Sequence, residues 1–418
     1  MQIFDYENSN SQQILALGPE SNGNFAFFHQ NKLYFSEDFG DLLEDANYHK
    51  FKNELNKFLK KDNFRPNVII TDLHPIYQTT ILGQELAEKY KARHIQIQHH
   101  LAHIFSAIGD YKINTDDCHI DCNKVFYGVA LDGTGYGLDG KIWGGEVFEI
   151  SNQDQNSKLQ TQRVGHLENQ TMIGGELAIK EPARMLIGIL SKIQNSKLQK
   201  TNKLQIQNIK SQKDFVYSFV KKYYSAQEFE VLYSQLQQDF NCIETSSTGR
   251  VLDAVSLLLD FCGNARKYKH EPIELLEKNS SKPYDSLKPI IHNNILMTTP
   301  LFEYLIKNLH KDKTRLATTA QLYIAEGLYK LICHSGLEPE SSHKTKNCGL
   351  DSHFHENDIF LAGGITNNKI ISEYLIFKGA YANKKVPRGD AGLSFGQIIY
   401  YLSFDQNHFN KKTALCSF

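Results

Sequence analysis

Lys124-Val125-Phe126-Tyr127-Gly128-Val129-Ala130-Leu131 runs without a break into Asp132-Gly133-Thr134-Gly135-Tyr136-Gly137, and Gly144-Gly145-Glu146-Val147-Phe148-Glu149-Ile150 follows closely. The apolar run reads as a buried strand, the glycines as a turn and the second run as the return strand. A similar pattern opens the chain. Ile14-Leu15-Ala16-Leu17, Phe25-Ala26-Phe27-Phe28 and Lys32-Leu33-Tyr34-Phe35, punctuated by Gly18-Pro19 and Asn22-Gly23, read as three antiparallel strands, with Ile14 beginning the first. An amphipathic helix near 47–60, a strand at 67–72, a helix near 78–91 and a strand at 92–97 follow. Strands succeeded by alternating helix and strand describe an RNase H-like lobe. Its echo after residue 124 predicts an α/β protein of two such lobes with a ligand in the cleft between them. The first lobe would span 13–123 and be completed by a segment near 386–405; the second would span 124–385. Helices should dominate 172–334, and Ile359-Phe360-Leu361-Ala362 should be a strand entering a Gly363-Gly364 turn and a helix.

A chain of 418 residues is long enough for two or three lobes with proper cores. Its 41% hydrophobic and 11% aromatic content is that of a globular protein, and a net charge of −1 gives no global footprint for nucleic acid or an anionic membrane. The first residues have neither the basic start nor the apolar stretch of a signal peptide, and no apolar run approaches the roughly 18 residues that span a bilayer. A cytoplasmic protein is expected, without membrane or nucleic-acid partners. Residues 1–13 are too few to hold a further module.

Seven cysteines at irregular spacing argue against a disulfide framework. Cys118 and Cys122, flanking His119 and Asp121, read as a polar loop rather than a metal clip. Cys333, His334, His343, Cys348, His353 and His355 lack regular finger spacing and read as a loop insertion. Stretches near 151–162, 191–213 and 335–357 are expected to be solvated insertions, because polar low-complexity sequence buries too little apolar surface to offset its ordering entropy.

Late in the first lobe stands Gln98-His99-His100-Leu101-Ala102-His103. On a helix, His99 and His103 share a face and can offer two imidazole nitrogens to one cation, to which Asp132 can add an oxygen. Two histidines and a carboxylate, with open positions left for substrate, make a catalytic rather than a structural metal arrangement. Two such histidines taken alone are more often ordinary surface or core residues. The other clusters tip the balance.

Those clusters are Asp72-Leu73-His74-Pro75-Ile76-Tyr77, Gln98-His99-His100 through His103, Ala130 through Gly137, Ile142-Trp143-Gly144-Gly145-Glu146 and Glu181-Pro182-Ala183-Arg184-Met185. Thr245 through Ala254, Gly363-Gly364 with Asn368, and Val386-Pro387 through Asp390-Ala391-Gly392 complete the series. In this order they resemble the C-terminal part of the hydrogenase maturation carbamoyltransferases, the HypF family. That part is similar in fold to the universal tRNA threonylcarbamoyl transferase subunit and, more distantly, to actin and sugar kinases.

The resemblance implies two actin-like lobes of the ASKHA type, a nucleotide in the cleft and a divalent metal, iron or zinc, near its phosphates. The ligands it implies are His99, His103, Asp132 and Asp390. It implies nucleotide contacts at Gly133, Gly135, Gly174, Gly175, Glu176, Gly249, Gly363, Gly364 and Asn368. Glycines there let backbone N–H groups approach an anion. Where the family pattern has Gly-Gly-Asp and Arg-Glu-Pro, this chain has Gly174-Gly175-Glu176 and Lys180-Glu181-Pro182, which puts ribose or phosphate contacts at those positions in doubt. The expected activity is carbamoyl transfer from carbamoyl-adenylate, formed with ATP and Mg, to the C-terminal cysteine of a HypE-type acceptor, with no nucleophile supplied by this chain. The acylphosphatase-like module, the CxxC zinc fingers and the YrdC-type module that makes the adenylate have no counterpart in this sequence, so a YrdC-type module is expected in trans. Carbamoyl transfer to other oxygen or nitrogen acceptors, tRNA threonylcarbamoyl transfer and a non-catalytic ATP-binding scaffold are the alternatives.

Overall fold

The computed structural model describes residues 1–8, 10–61, 64–115, 125–152, 159–193, 211–335 and 358–404. The first sheet contains β1 (Gln2–Asp5), β2 (Ile14–Leu17), β3 (Phe25–His29), β4 (Lys32–Phe35), β5 (Val68–Asp72) and β6 (Arg93–Ile97), in the spatial order β1-β4-β3-β2-β5-β6. Strands β1 to β4 pair antiparallel, whereas β5 joins β2 and β6 joins β5 in parallel. Helix α1 (Asp45–Lys61) follows β4, α2 (Gln78–Tyr90) links β5 to β6, and α3 (His99–Asn114) follows β6.

The second sheet repeats the plan. Strands β7 (Phe126–Tyr136), β8 (Ile142–Asn152) and β9 (Leu159–Leu167) are antiparallel. After them come β10 (Gln170–Ile173), β11 (Cys242–Thr245), β12 (Ile291–His292), β13 (Ile295–Leu296), β14 (Ile359–Ala362) and β15 (Ala380–Ala382). The path β9-β8-β7-β14-β15, with β14 parallel to β7 and β15 parallel to β14, has the same order and directions as β4-β3-β2-β5-β6. This is the mixed α/β, actin-like arrangement of two related sheets. Helices α4 (Leu177–Lys180), α5 (Pro182–Lys192), α6 (Gln212–Val220), α7 (Ala226–Gln237), α8 (Thr248–Leu258), α9 (Glu271–Lys278), α10 (Thr299–Lys307) and α11 (Lys313–Ser335) precede β14. Helix α12 (Lys369–Phe377) links β14 to β15, and α13 (Leu393–Ser403) is the last described helix.

Strand alternation sorts side chains into layers. Leu15, Leu17, Phe25, Phe27 and Ile69 face an aromatic core under α1 and α2, while Ile14, Ala16, Ala26, Phe28, Val68 and Ile70 face inward. On β7, Phe126 and Ala130 face that same inner core, and Tyr127, Val129 and Leu131 face the core shared with α5 and the helices after it. Helices α3 and α13 fill the inner layer between the two sheets. They cross closely: a Cβ on Gly396 would lie 1.9 Å from the Ala102 carbonyl oxygen, so only glycine fits there.

Several expectations need correction. The first strand is β1, not the one opening at Ile14; as an edge strand with mostly exposed residues it shows no apolar pattern. Helices do dominate 172–334, with the short strands β11, β12 and β13 set among them. Residues 132–135 form no hairpin turn: β7 runs on to Tyr136 through a register shift between Leu131 and Gly135, a bulge that bends the strand without ending it. Gly174-Gly175 is followed only by the single turn α4, and Glu181 lies at the break before α5.

The polar stretches are shorter than their composition suggested. Residues 151–152 and 159–162 belong to β8 and β9, and α11 reaches Ser335. Ile193 is 1% exposed, and the Gln212 amide donates to the carbonyls of Leu190 and Ile193 at 3.0 and 2.8 Å. Residues 153–158, 194–210 and 336–357, and the Cys118–Cys122 segment, lie outside the described residues. Cys333 and His334 are on α11.

Candidate metal centre

Helix α3 starts where β6 ends, so its first turn emerges at the edge of the cleft between the sheets. Gln98 caps it, its side-chain oxygen accepting from the Leu101 N–H at 3.0 Å. His99 and His103 are 2% and 1% exposed, and their Nε2 atoms face each other at 3.1 Å. The bulge in β7 turns Asp132 toward them, with its Oδ2 3.1 Å from His99 Nε2 and 3.5 Å from His103 Nε2. Asp132 Oδ1 accepts from the Gly133 N–H at 2.8 Å. Asp390 enters after Gly389, whose φ of +77° favours glycine, and places Oδ1 3.5 Å from both imidazole Nε2 atoms. Each of the four residues thus offers one donor atom, all within 4.8 Å of one another.

The donor set fits a divalent cation. Metal–ligand bonds of about 2.0–2.2 Å place neighbouring ligand atoms roughly 3–3.5 Å apart around a central ion, the spacing that separates most of these atoms. Two nitrogens and two carboxylate oxygens suit the borderline metals, zinc and ferrous iron among them. Burial disfavours a charged imidazole, yet Asp72, Asp132 and Asp390 outweigh it and hold His99 well above its ordinary 6.5. His103 is raised too: burial opposes the shift and hydrogen bonds to Asp132 and Asp390 overcome it. Burial works against the carboxylate form of Asp132 and Asp390, but the imidazoles, and for Asp390 also Lys269, pull both below the usual carboxylate range. The carboxylates thus favour positive charge at the centre of the cluster.

Sequence reasoning gave Asp72 no role. At the end of β5 and 1% exposed, its Oδ2 accepts from His99 Nδ1–H at 2.7 Å, while its Oδ1 accepts from the His74 N–H at 2.9 Å. That bond fixes the His99 tautomer and leaves the Nε2 lone pair for a metal. Glu146, fully buried, takes hydrogen bonds from the Gly144 and Gly145 N–H groups at 3.0 and 3.2 Å and from Arg163 Nε at 2.5 Å, pinning the strand opposite the bulge.

The expected nucleotide residues divide into two groups. Gly133, Gly249, Gly363 and Gly364 gather beside Asp132: a Cβ on Gly249 would sit 2.9 Å from Gly133 Cα, and one on Gly364 would sit 3.3 Å from Asp132 Oδ1. Gly135 lies against His100 and His99. Behind Gly133, Arg250 is 5% exposed and pairs with Asp253 through Nη2, but its Nε and Nη1 have no protein partner. Burial lowers Arg250 to about 10, with Asp253 opposing the shift. Elsewhere, Gly174 and Gly175 form a left-handed turn against Arg184, Asn241 and Ile243, next to Glu176. Asn368 caps α12 and donates to Gln321, committing its buried side chain within the fold.

Comparison with known proteins gives the family. Residues 9–110 match the family model described as the HypF Kae1-like domain, and residues 128–397 match that described as the carbamoyltransferase, Kae1-like domain, second subdomain. The probable carbamoyltransferase HypF of Methanocaldococcus jannaschii is 35% identical over 410 residues, covering 94% of this chain and 47% of that protein. The crystal structure of T. kodakarensis HypF superposes with a TM-score of 0.75 at 26% identity, over 96% of this chain and 49% of the other. A full-length HypF crystallised in its phosphate- and nucleotide-bound form shares the fold at a TM-score of 0.76 and 23% identity, over 96% of this chain and 57% of the other. The chain therefore spans about half the length of these relatives, and it belongs to the HypF family, corresponding to its Kae1-like region.

Proposed function

We propose that this chain is the transfer half of a carbamoyltransferase, passing a carbamoyl group from carbamoyl-adenylate to the C-terminal cysteine of a HypE-type acceptor. The observation that carries this reading is the convergence of His99, His103, Asp132 and Asp390 beside the glycines at 133, 249 and 364. A bound divalent ion would supply Lewis acidity at this corner. His99 and His103 would hold it from α3, Asp132 from β7 and Asp390 from the loop before α13. Backbone N–H groups near Gly133 and Gly364, together with the two unpartnered guanidinium nitrogens of Arg250, suit the phosphate of a nucleotide.

In the transfer, the acceptor's thiolate sulfur attacks the carbamoyl carbon, the bond from that carbon to the phosphate oxygen breaks, and AMP leaves with the electron pair. No nucleophile from this chain is needed. Burial pushes the Cys262 thiol up to about 11 and raises Cys242, so neither thiol is poised as a thiolate. No described helix is long and apolar enough to cross a membrane, and cytoplasmic work beside a soluble acceptor suits the proposal.

The test combines this chain, HypE, ATP, Mg and carbamoyl phosphate, with and without a separate YrdC-type domain, and weighs HypE by mass spectrometry. Carbamoylated HypE should form only when the YrdC-type domain is present. Carbamoylation by the chain alone would overturn the division of labour; none in the complete mixture would overturn the transfer reading.

A further inference from the structure

Two further side chains on α3 lie on the stripe that carries the histidines. His99, His103, Ser106 and Asp110 follow one another at steps of four, three and four residues, which puts all of them on one helical face. Asp110 is fully buried. Its Oδ1 accepts from the Lys385 and Val386 N–H groups at 2.8 and 2.6 Å. Its Oδ2 accepts from the Lys384 N–H at 2.8 Å, the Tyr381 hydroxyl at 2.7 Å and the Asn114 amide at 2.9 Å. One turn nearer the histidines, Ser106 Oγ accepts from the Asn383 amide at 3.0 Å.

These bonds fasten residues 381–386, the chain that leads directly to Asp390. Between Val386 and Asp390 little freedom remains. Pro387 fixes its own φ, Arg388 donates to the Thr366 carbonyl at 3.0 Å, and Gly389 lies so close to Gly364 that a Cβ would come within 3.0 Å of Gly364 Cα. At the far side, the Asn24 amide donates to the Asp390 carbonyl at 2.9 Å.

We propose that Asp110 is the positioning residue of the metal centre: through the 384–386 backbone it sets the place of Asp390 relative to His99 and His103, so that one face of one helix both supplies two ligands and gauges a third. A carboxylate suits the task because it accepts several N–H groups at once and releases none. An amide in its place turns an NH2 toward backbone donors. The inference rests on the metal reading above, and its test separates the two.

Metal-free wild type, Asp110→Asn, Asp390→Ala and the double variant are titrated with zinc against a chromophoric chelator, with circular dichroism of each as the fold control. Asp110→Asn should bind zinc about 10–100-fold more weakly, the usual effect of losing an outer partner. Asp390→Ala leaves three ligands, enough for measurable binding, and in that background Asp110→Asn should cost no further affinity. A purely structural Asp110 would instead weaken binding equally in both backgrounds, and that result, or unchanged affinity in Asp110→Asn alone, overturns the inference. Should Asp110→Asn fail to fold, Tyr381→Phe removes one donor and should give a smaller loss that again vanishes in the Asp390→Ala background; persistence of the loss there overturns the inference. No zinc binding by wild type would overturn the metal reading and this inference with it.

Discussion

The two ends of α3 each bury polar charge, and they solve the problem differently. At Asp110 one carboxylate meets five donors, three of them backbone N–H groups, so the cluster is complete within the protein. At His99 the groups are two imidazoles and two carboxylates whose lone pairs point at one another across 3.1–3.5 Å. Protons can bridge some of these contacts, as the raised imidazoles show, but the set as a whole asks for a cation. Counting donors against acceptors separates a buried polar cluster that locks the fold from one built to receive a guest.

The strongest way to break this contrast is to remove a donor from the guest-binding end. His99→Ala or His103→Ala should abolish stoichiometric metal, because each removes one of the only two imidazole nitrogens in the donor set, a heavier loss for a borderline metal than that of a single carboxylate, while the circular dichroism of the variant stays that of wild type. Metal analysis after gentle purification checks it; retained stoichiometric metal would show that the convergence of the four side chains is not a binding site. Correspondingly, adding zinc to metal-stripped wild type at a thousand times its dissociation constant should stabilise the fold by about 4 kcal/mol, and the same addition should leave the melting of His99→Ala unchanged.

A milder perturbation acts through Asp72, which stands to His99 as Asp110 is proposed to stand to Asp390. Asp72→Ala should weaken zinc binding about 10–100-fold, or about 1.4–2.7 kcal/mol, by freeing the His99 ring and tautomer. Equal zinc affinity in Asp72→Ala and wild type would show that α3 alone orients His99.

What could be read from the sequence follows from how strongly each element is patterned. The apolar strands β2, β3, β5 and β7 and the pair at 99 and 103 announce themselves because burial of a whole strand or an i, i+4 pair leaves a local signal. Asp132 could be suspected from its place after an apolar run, but Asp390 only through family resemblance, since a lone aspartate between glycines reads as a turn. The roles of Asp72 and Asp110 were missed because one buried carboxylate has no local pattern: Asp72 stood in a quoted cluster, but its bond to His99 crosses from β5 to α3, and the backbone partners of Asp110 lie more than 270 residues away. The one available clue was that Asp110 follows His99 by 11 residues and so shares its face. The bulge in β7 was read as a turn because glycines mark both, and only the resumption of pairing at Gly135 with Trp143 tells them apart.

The same contrast predicts where polar residues should hardly matter. Residues 194–210 are rich in Lys, Gln, Asn and Ser, yet polarity by itself stabilises nothing; what counts is the partners a group meets. The ends of this stretch are tied together, the Gln212 amide lying 2.8 Å from the Ile193 carbonyl oxygen, so a short Gly/Ser linker can close the gap at little entropic cost. Replacing 194–210 in this way should change the unfolding free energy by less than about 1 kcal/mol, as for a solvated surface segment. Adding Ile193→Ala to the same variant should cost about 2–4 kcal/mol, because it removes a side chain buried among the residues of α5 and its neighbours. Urea unfolding midpoints of the three proteins measure both effects. A large loss from the linker alone would mean that the polar stretch contains a cluster like that of Asp110, with partners of its own.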